Sequence, residues 1–600
     1  EMLRSLVGSE MCIRDRRMKV LLPILKKYRR EAVLAPLFKL VEALLELMVP
    51  LIMARIIDKG IAEGNRIYVL QQSGLLVLLG AAGLGFSVTA QYFAAKAAMR
   101  LGGELRHRLF SKVQELSFSQ LDLFGADTLI TRMTSDVNQV QSGVNMVLRL
   151  FLRSPFIVFG AMVMAFTIDG PSALIFAVAI PVIGAVVFWI LLTTLPLYKR
   201  VQGKLDEIMT STRENLTGVR VIRAFRQEET ERKRYAARNA ALLTEQLKVG
   251  RISGLMNPLT YVLINLAVVA LIQTDAVRVN TGILETGQAV ALLNYMSQIL
   301  VELIKLANLI IQVTRAAACS ERVAAVLEVH SDMQDGRENA SEDFLEEAEI
   351  EENGRKKAVE FRDVSLRYDK ESGEALHDIS FTAYAGDTIG IIGGTGSGKS
   401  SLVNLIPRFY DASAGEVRVF GEDVRRLTLE SLRANIGMVL QKAELFRGSI
   451  ADNLRWGKED ADNAAFWEAL TIAQAKEYVE TKPGKLDFYL EQNARNLSGG
   501  QKQRLTIARA LMKKPQILIL DDSASALDFA TDAALRTAIR ESARDITCFI
   551  VSQRAASVQY ADRILVLDNG MLVGSGTHEE LLRDNEVYQE IYYSQFPKEA

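Results

Sequence analysis

The chain has 600 residues, enough for roughly three to four domains of ordinary size. Its 71 Lys and Arg against 72 Asp and Glu argue against nucleic acid as a partner, and three scattered cysteines (Cys12, Cys319, Cys548) exclude a disulfide framework or a zinc site. Hydrophobic residues make up 49% and charged residues 24%, with a mean hydropathy of +0.11, a mixture that points to one part in lipid and one in water.

Residues 1–17 carry no apolar stretch of signal-peptide length and no small-residue cleavage site. They read as an artefact or a disordered tail, with Met18 the natural start. Residues 19–31 mix apolar and basic side chains, as suits a short helix in the membrane interface. Six apolar segments follow, at 33–57, 69–95, 143–168, 171–195, 252–274 and 284–312, each long enough to cross a hydrocarbon core, which needs about 20 helical residues. The links 58–68, 169–170 and 275–283 are short and hold few basic residues, whereas 96–142 and 196–251 are long, helical in pattern and rich in Lys and Arg. The positive-inside rule places those two long loops, and with them both termini, in the cytoplasm, which makes 18–329 a multi-pass domain of the cytoplasmic (inner) membrane. Residues 330–357 are acidic and polar and read as a solvated linker.

From 358 to 600 the pattern becomes α/β. Short β-branched runs (TIGII, IGMVL, ILIL, CFIV, ILVL) alternate with amphipathic stretches, which predicts a mainly parallel sheet covered by helices. Residues 393–400, GGTGSGKS, form a phosphate loop between a strand and a helix. Gly393, Gly394, Thr395, Gly396, Ser397 and Gly398 let backbone N–H groups converge on phosphate oxygens; Lys399 reaches the β- and γ-phosphates, and Ser401, in the helix 400–406 that follows, is counted with the nucleotide-binding residues. The Ser400 hydroxyl and Asp521, at the end of the strand Ile517–Leu520, are expected to hold Mg²⁺. Asp522 and Gln553 end strands at the same edge. The run LSGGQ (497–501) opens a helix whose Ser498, Gly499, Gly500 and Gln501 offer a second phosphate-binding turn; in a chain with its own phosphate loop, this suits a nucleotide held by another subunit.

The phosphate loop, LSGGQ and ILILDDSASALD, in that order after six apolar spans, resemble an ABC transporter half-subunit of the exporter type over residues 19–600. The resemblance implies a six-helix all-α transmembrane domain followed by an α/β P-loop ATPase domain, with ATP and Mg²⁺ as cofactors. It also implies an adenine-stacking role for Tyr368, a γ-phosphate and Mg²⁺ sensing role for Gln441, and contact of the Asp528 loop with the opposite subunit. The segments 118–137 and 214–225 resemble the family's coupling helices. Two positions depart from the pattern: Asp522 stands where the family has its catalytic Glu, and Gln553 where it has a switch His. Asp is one methylene shorter, so its carboxylate retreats by roughly 1 Å, a displacement that can cost about 100-fold in rate. Gln carries no positive charge. The pair resembles the degenerate-site half of heterodimeric exporters, so a heterodimer with a second half-transporter is favoured over a homodimer. Membrane lipids and an amphipathic drug, lipid or peptide are the other implied partners. A siderophore or metal-complex importer and an ATP-gated channel are the alternatives.

Glu42 and Glu46 are the carboxylates noted inside a span. They read either as a cation-attracting cavity wall or, preferred, as a cytoplasmic helix extension paired with Lys39 or Lys305. Gln91, Asn265, Gln273, Asn294 and Gln298 either line a polar path or bind helices together.

Overall fold

The computed structural model describes residues 21–339, 354–368, 373–542 and 546–596. The 1–17 tail and the acidic core of the linker lie outside the described residues. The chain divides into two units, one of residues 1–114 and 125–329, the other of 115–124 and 330–600.

The first unit is helical. A short α1 (Leu21–Lys27) leads into α2 (Arg29–Arg55), then α3 (Arg66–Glu115). Beyond α4 (Phe118–Phe124), which belongs to the second unit, come α5 (Val137–Leu150) and α6 (Arg153–Ile168), then α7 (Gly170–Thr217), α8 (Val219–Ala224), α9 (Glu228–Gly254), α10 (Met256–Asn280) and α11 (Thr286–Leu327). Among the described residues five helical rods are long and apolar enough to cross a membrane: Arg66–Glu115, Ala126–Ile168, Gly170–Thr217, Glu228–Asn280 and Thr286–Leu327. The first expected span lies in α2, whose 27 residues are interrupted by Lys39, Glu42 and Glu46. The 50 residues of α3 extend about 75 Å at 1.5 Å per residue, far more than a hydrocarbon core needs, so the basic stretch after 95 continues its span as helix.

Small residues let these helices approach closely. Ala43, Ala161, Ala165, Ala173 and Ala291 are fully buried, around the larger Phe176, Tyr295 and Met296. Tyr295 Oη donates to the Leu47 carbonyl at 2.6 Å and ties α11 to α2. The link at 169 is short because Asp169 caps α7 directly, accepting from Ser172 N at 3.0 Å with Pro171 in the first turn.

The second unit holds two principal sheets and a two-stranded ribbon that pairs β7 (Gly448–Ser449) with β8 (Tyr489–Leu490). The strands β1 (Lys357–Leu366), β2 (Leu376–Tyr384), β4 (Ala414–Val419) and β5 (Glu422–Asp423) form an antiparallel sheet in the order β2-β1-β4-β5. The sequence reading did not anticipate it: β1 pairs through several register shifts, so its alternation is broken. The second sheet runs β12-β11-β3-β10-β9-β6, built from β3 (Thr388–Gly393), β6 (Ile436–Val439), β9 (Ile517–Asp521), β10 (Thr547–Val551), β11 (Arg563–Asp568) and β12 (Met571–Gly576). All five runs read from the sequence lie in it, parallel to one another, and only β12 is antiparallel. Burial on both faces explains their continuous apolar character.

Residues 330–339, read as the head of the linker, lie along this unit. Asp335 accepts from Leu429 N at 2.8 Å, Arg408 donates to the Gln334 carbonyl at 3.0 Å, and Glu338 bridges Leu427.

Cys548 sits in β10, inside the sheet, where burial pushes its thiol up to about 12. Iodoacetamide at pH 8 is therefore expected to leave Cys548 unmodified in the folded protein and to alkylate it after denaturation, as peptide mass mapping will show.

Candidate functional site

The site is set by register. Val551 of β10 stands opposite Ile391 of β3 on one side and Asp521 of β9 on the other, so three strand ends reach one edge of the sheet together. The phosphate loop leaves β3 there and enters α12 (Lys399–Leu405). Gly396 and Gly398 have φ of +82° and +95°, and a Cβ on Gly398 would meet the Leu376 side chain at 2.7 Å. Gly394, Thr395 and Gly396 form the exposed crest of the loop. Lys399 is buried, its Nζ donating to the carbonyls of Gly393 at 2.9 Å and Gly394 at 2.6 Å and to Ser397 Oγ at 3.4 Å. Burial lowers its pKa, opposed by Asp522 and Asp521 nearby.

The Ser400 hydroxyl donates to Asp521 Oδ1 at 3.0 Å. Burial raises the Asp521 carboxyl above the usual range, and the Asp522 charge adds to this. One hydroxyl and one carboxylate make a sparse, hard-oxygen donor set. Among the described residues no cluster of three or more His, Cys, Asp or Glu stands ready for a metal. That set fits Mg²⁺, which keeps water and takes phosphate oxygens rather than a full protein cage.

Asp522 takes a left-handed backbone, φ +45°, and its Oδ2 accepts from Gln441 Nε2 at 3.3 Å. The two residues read as water-positioning and sensing groups thus share one contact. Gln553 is exposed at the end of β10, its carbonyl accepting from Gln595 at 2.8 Å. Its neighbour Arg554 was missed. Arg554 donates to the carbonyls of Ala524 at 3.2 Å, Leu527 at 3.1 Å and Ser525 at 3.2 Å, and lies over the Phe529 ring. The guanidinium gathers three carbonyls of the loop 524–527, which is also closed by Leu527 N donating to the Ala524 carbonyl at 3.1 Å and Ser525 Oγ to the Asp522 carbonyl at 2.9 Å; no sequence signal marks Arg554 beyond its place after Gln553.

The LSGGQ turn opens α13 (Gly499–Leu511). Ser498 caps it reciprocally with Gln501: Ser498 Oγ accepts from Gln501 N at 3.3 Å and Gln501 Oε1 from Ser498 N at 3.1 Å. Gly499 is exposed with open space where a Cβ would stand, whereas a Cβ on Gly500 would press on the Ala526 carbonyl at 2.9 Å. The helix packs on the edge strand β6, and β9 and β10 lie between β6 and the phosphate-loop strand β3. One chain therefore does not bring its two phosphate-binding turns together. Asp528 caps α14 (Phe529–Ser542), accepting from Thr531 N and Oγ1 at 2.9 Å each. The side chains of Gln501 and Asp528 are thus committed to helix caps.

Tyr368 presents a partly exposed ring; its hydroxyl donates to Ser401 Oγ at 2.7 Å and its edge meets Tyr410 at 4.9 Å between centroids. Tyr410 in turn donates to Asp122 of α4 at 3.1 Å, and Phe118 packs on Phe409 at 4.4 Å. The segment 118–137, read as one coupling helix, divides at Gly125, whose φ of +71° ends α4; only Phe118–Phe124 clusters with the second unit. In the other such segment, α8 buries no side chain and exposes Val221, and Phe225 directly after it is exposed too.

In the helical unit Lys39 pairs with Glu42 at 2.6 Å, as one of the readings had it. Glu46 pairs instead with Arg153 at 2.6 Å, and Lys305 with Glu302 at 2.8 Å; neither Arg153 nor Glu302 had been singled out. Asn265 turns back to the Tyr261 carbonyl of its own helix, while Gln91 and Gln273 are exposed.

Two family models match the chain, the ABC transporter transmembrane region over residues 33–303 and the ABC transporter model over 376–525. A Bacillus subtilis protein, described as the uncharacterized ABC transporter ATP-binding protein YfiB, is 37% identical over 97% of this chain and 99% of its own length. An ATP-dependent lipid A-core flippase from Xanthomonas oryzae pv. oryzae is 31% identical over 95% of each chain. The solved structure of a bacterial Atm1-family ABC exporter with ATP bound superposes with a TM-score of 0.78 over 95% of this chain and 99% of that one, at 24% identity, and so speaks for the fold.

Replacing Arg554 by Leu removes three hydrogen bonds that shape the loop 524–527. The expected result is a roughly tenfold fall in ATP turnover of the assembled protein, with nucleotide affinity changed less than about threefold, since Arg554 lies outside the phosphate loop. Steady-state turnover and fluorescent-nucleotide titration check the two numbers.

Proposed function

The chain belongs to the ABC transporter family, with exporter-type transmembrane and ATPase domains, and on that premise we propose that it is one half of a dimeric pump that exports an amphipathic molecule from the cytoplasmic side of the inner membrane. The observation that carries the dimer is the separation of its two phosphate-binding turns across one sheet, β3 from β6 with two strands between. A nucleotide on Lys399 of one subunit then meets Ser498, Gly499 and Gly500 of the other. The exposed Val221 of α8 and Phe225 directly after it support the same reading, because an apolar turn beside a basic loop calls for a protein surface.

Within the nucleotide site each group has a task. Loop amides and Lys399 bind the phosphates; the Nζ exchanges the Gly393 and Gly394 carbonyls for phosphate oxygens at little cost, because both are acceptors in the same pocket. Tyr368 offers its ring to adenine, while its hydroxyl keeps the ring against α12 through Ser401. Ser400 and Asp521 would hold Mg²⁺, which when bound neutralises charge on the β- and γ-phosphates. Gln441 and Asp522, in contact with each other, stand where the attacking water has to be positioned. Asp522 is too short for that task and Gln553 brings no charge to the γ-phosphate, so this site binds ATP durably and hydrolyses it slowly. The partner's site, completed by this chain's LSGGQ turn, does the faster work. A different partner is favoured over a second copy, for a homodimer would carry two weak sites.

Mg-ATPase turnover of the chain purified alone in lipid discs tests the reading. Negligible turnover with retained ATP binding is expected, and Asp522→Glu with Gln553→His should raise turnover by about 100-fold. Robust turnover of the unmodified chain, abolished by Lys399→Ala, would instead show that Asp522 and Gln553 suffice and that a homodimer is the working unit.

A further inference from the structure

A pocket of about 470 Å³ opens between α2 and α11 in the helical unit, lined by Glu46, Val49 and Met53 from one helix and by Asn294, Gln298 and Lys305 from the other. Its position on α2 is set by helical geometry. Val33, Leu37, Leu44 and Met48 form a stripe that is half or more exposed, as a lipid-facing surface should be. Lys39, Glu42 and Glu46 lie on the opposite side of the same helix. A carboxylate among apolar spans must face protein or water, and Glu46 does so, turned toward Arg153 and this pocket rather than toward the apolar stripe. On α11, Asn294, Gln298, Val301 and Lys305 follow one another at helical spacing along a single face.

Four charges of alternating sign run behind this pocket. Glu46 pairs with Arg153 at 2.6 Å, Arg153 with Glu302 at 2.6 Å, and Glu302 with Lys305 at 2.8 Å. The inner pair is sealed: the side chains of Arg153 and Glu302 are 9% and 3% exposed, and Ser154 also donates to Glu302 at 2.7 Å. The outer pair is open, with Glu46 39% and Lys305 40% exposed. A purely structural ion pair between α6 and α11 needs only the sealed members. The chain of charges instead ends in one anion and one cation at the pocket wall, and Gln298 Oε1 is buried there with no partner.

We propose that this pocket receives the polar head of the transported molecule and that the head is a zwitterion, with a cationic group toward Glu46 and an anionic group toward Lys305. The inference rests on the export reading and gives its substrate a chemical class. The charge count favours it: the wall carries one open charge of each sign, so a lone cation would leave Lys305 against it and a lone anion would leave Glu46, while a dipolar head satisfies both. The volume suits a head group and the beginning of a chain, and Val49, Pro50, Met53 and Val301 supply an apolar surface for that chain.

The test uses the full chain in lipid discs and three probes with fluorescently labelled hydrocarbon chains of the same length: a lysophosphatidylethanolamine, a lysophosphatidylglycerol and an alkyl-trimethylammonium. The zwitterion is expected to bind about tenfold tighter than either singly charged probe. Glu46→Gln should abolish that margin in favour of the anion, and Lys305→Gln in favour of the cation, an opposite shift that a structural role for the pair would not produce. Should Glu46→Gln fail to fold, Val301→Trp fills the pocket with all four charges in place and should weaken all three probes. Equal affinities for the three probes, or unchanged preferences in both charge variants, would overturn the proposal. ATP-driven movement of an amphipath into inverted vesicles that hold the assembled dimer, this chain together with its partner half, separates the two readings. Transport without a zwitterion preference would sink this site alone; the opposite preference shifts without transport would uphold the site and sink the export reading.

Discussion

The pairing of β3, β10 and β9 in one parallel register is the constraint on which the nucleotide half depends. Ile391, Val551 and Asp521 stand side by side, and beyond them lie the phosphate loop, Gln553 and Asp522. A shift of one residue in β9 would turn Asp521 to the other face of the sheet and break its bond with Ser400. Register is protected by burial: β9 and β10 are buried along their whole length, so any slip would exchange packed apolar contacts for voids. Arg554 follows from the same placement. It lies three residues beyond Val551, the last residue of β10, and from there reaches the carbonyls of the loop after β9.

In the helical half the governing cost is desolvation of charge. Arg153 is buried, and it persists because Glu302 and Glu46 both accept from it while Ser154 and Lys305 satisfy Glu302 in turn. Removing one member would leave a buried charge unpaired, a loss of about 3–5 kcal/mol by analogy with soluble proteins. The same network holds α2, α6 and α11 at their spacing, together with the Tyr295–Leu47 bond and the alanines beside it. Stability and the open charges of the pocket therefore come from one arrangement.

A line of contacts runs through the ATPase unit from the phosphate loop to α4. Ser401 on α12 bonds to Tyr368, the Tyr368 ring meets Tyr410, and Tyr410 bonds to Asp122 of α4, which Phe118 anchors on Phe409. Tyr368, the aromatic proposed for adenine, thus shares a neighbour with α4. Gly125, the next residue, ends that helix with a positive φ that glycine adopts without a steric penalty.

The sequence by itself determined what local pattern dictates. Twenty or more apolar residues in a row mark spans, β-branched runs mark the five parallel strands, and GGTGSGKS and LSGGQ mark two phosphate-binding turns, because each of these signals is contained within one stretch of chain. Tertiary structure alone decided the partners of side chains that have several local options. Gln501, read as part of a phosphate-binding turn, and Asp528, read in a loop that contacts the opposite subunit, both use their side chains to close helix caps, since a backbone N–H three residues away is the nearest unsatisfied donor. Arg153 and Glu302 are 149 residues apart, and nothing in either neighbourhood announces the other. The antiparallel sheet was hidden by its bulges, and residues 330–339 looked like linker because polar composition does not reveal a backbone docked on Arg426–Leu429. Long-range pairing of charge and backbone is chosen by packing geometry, and that geometry exists only once the chain has folded.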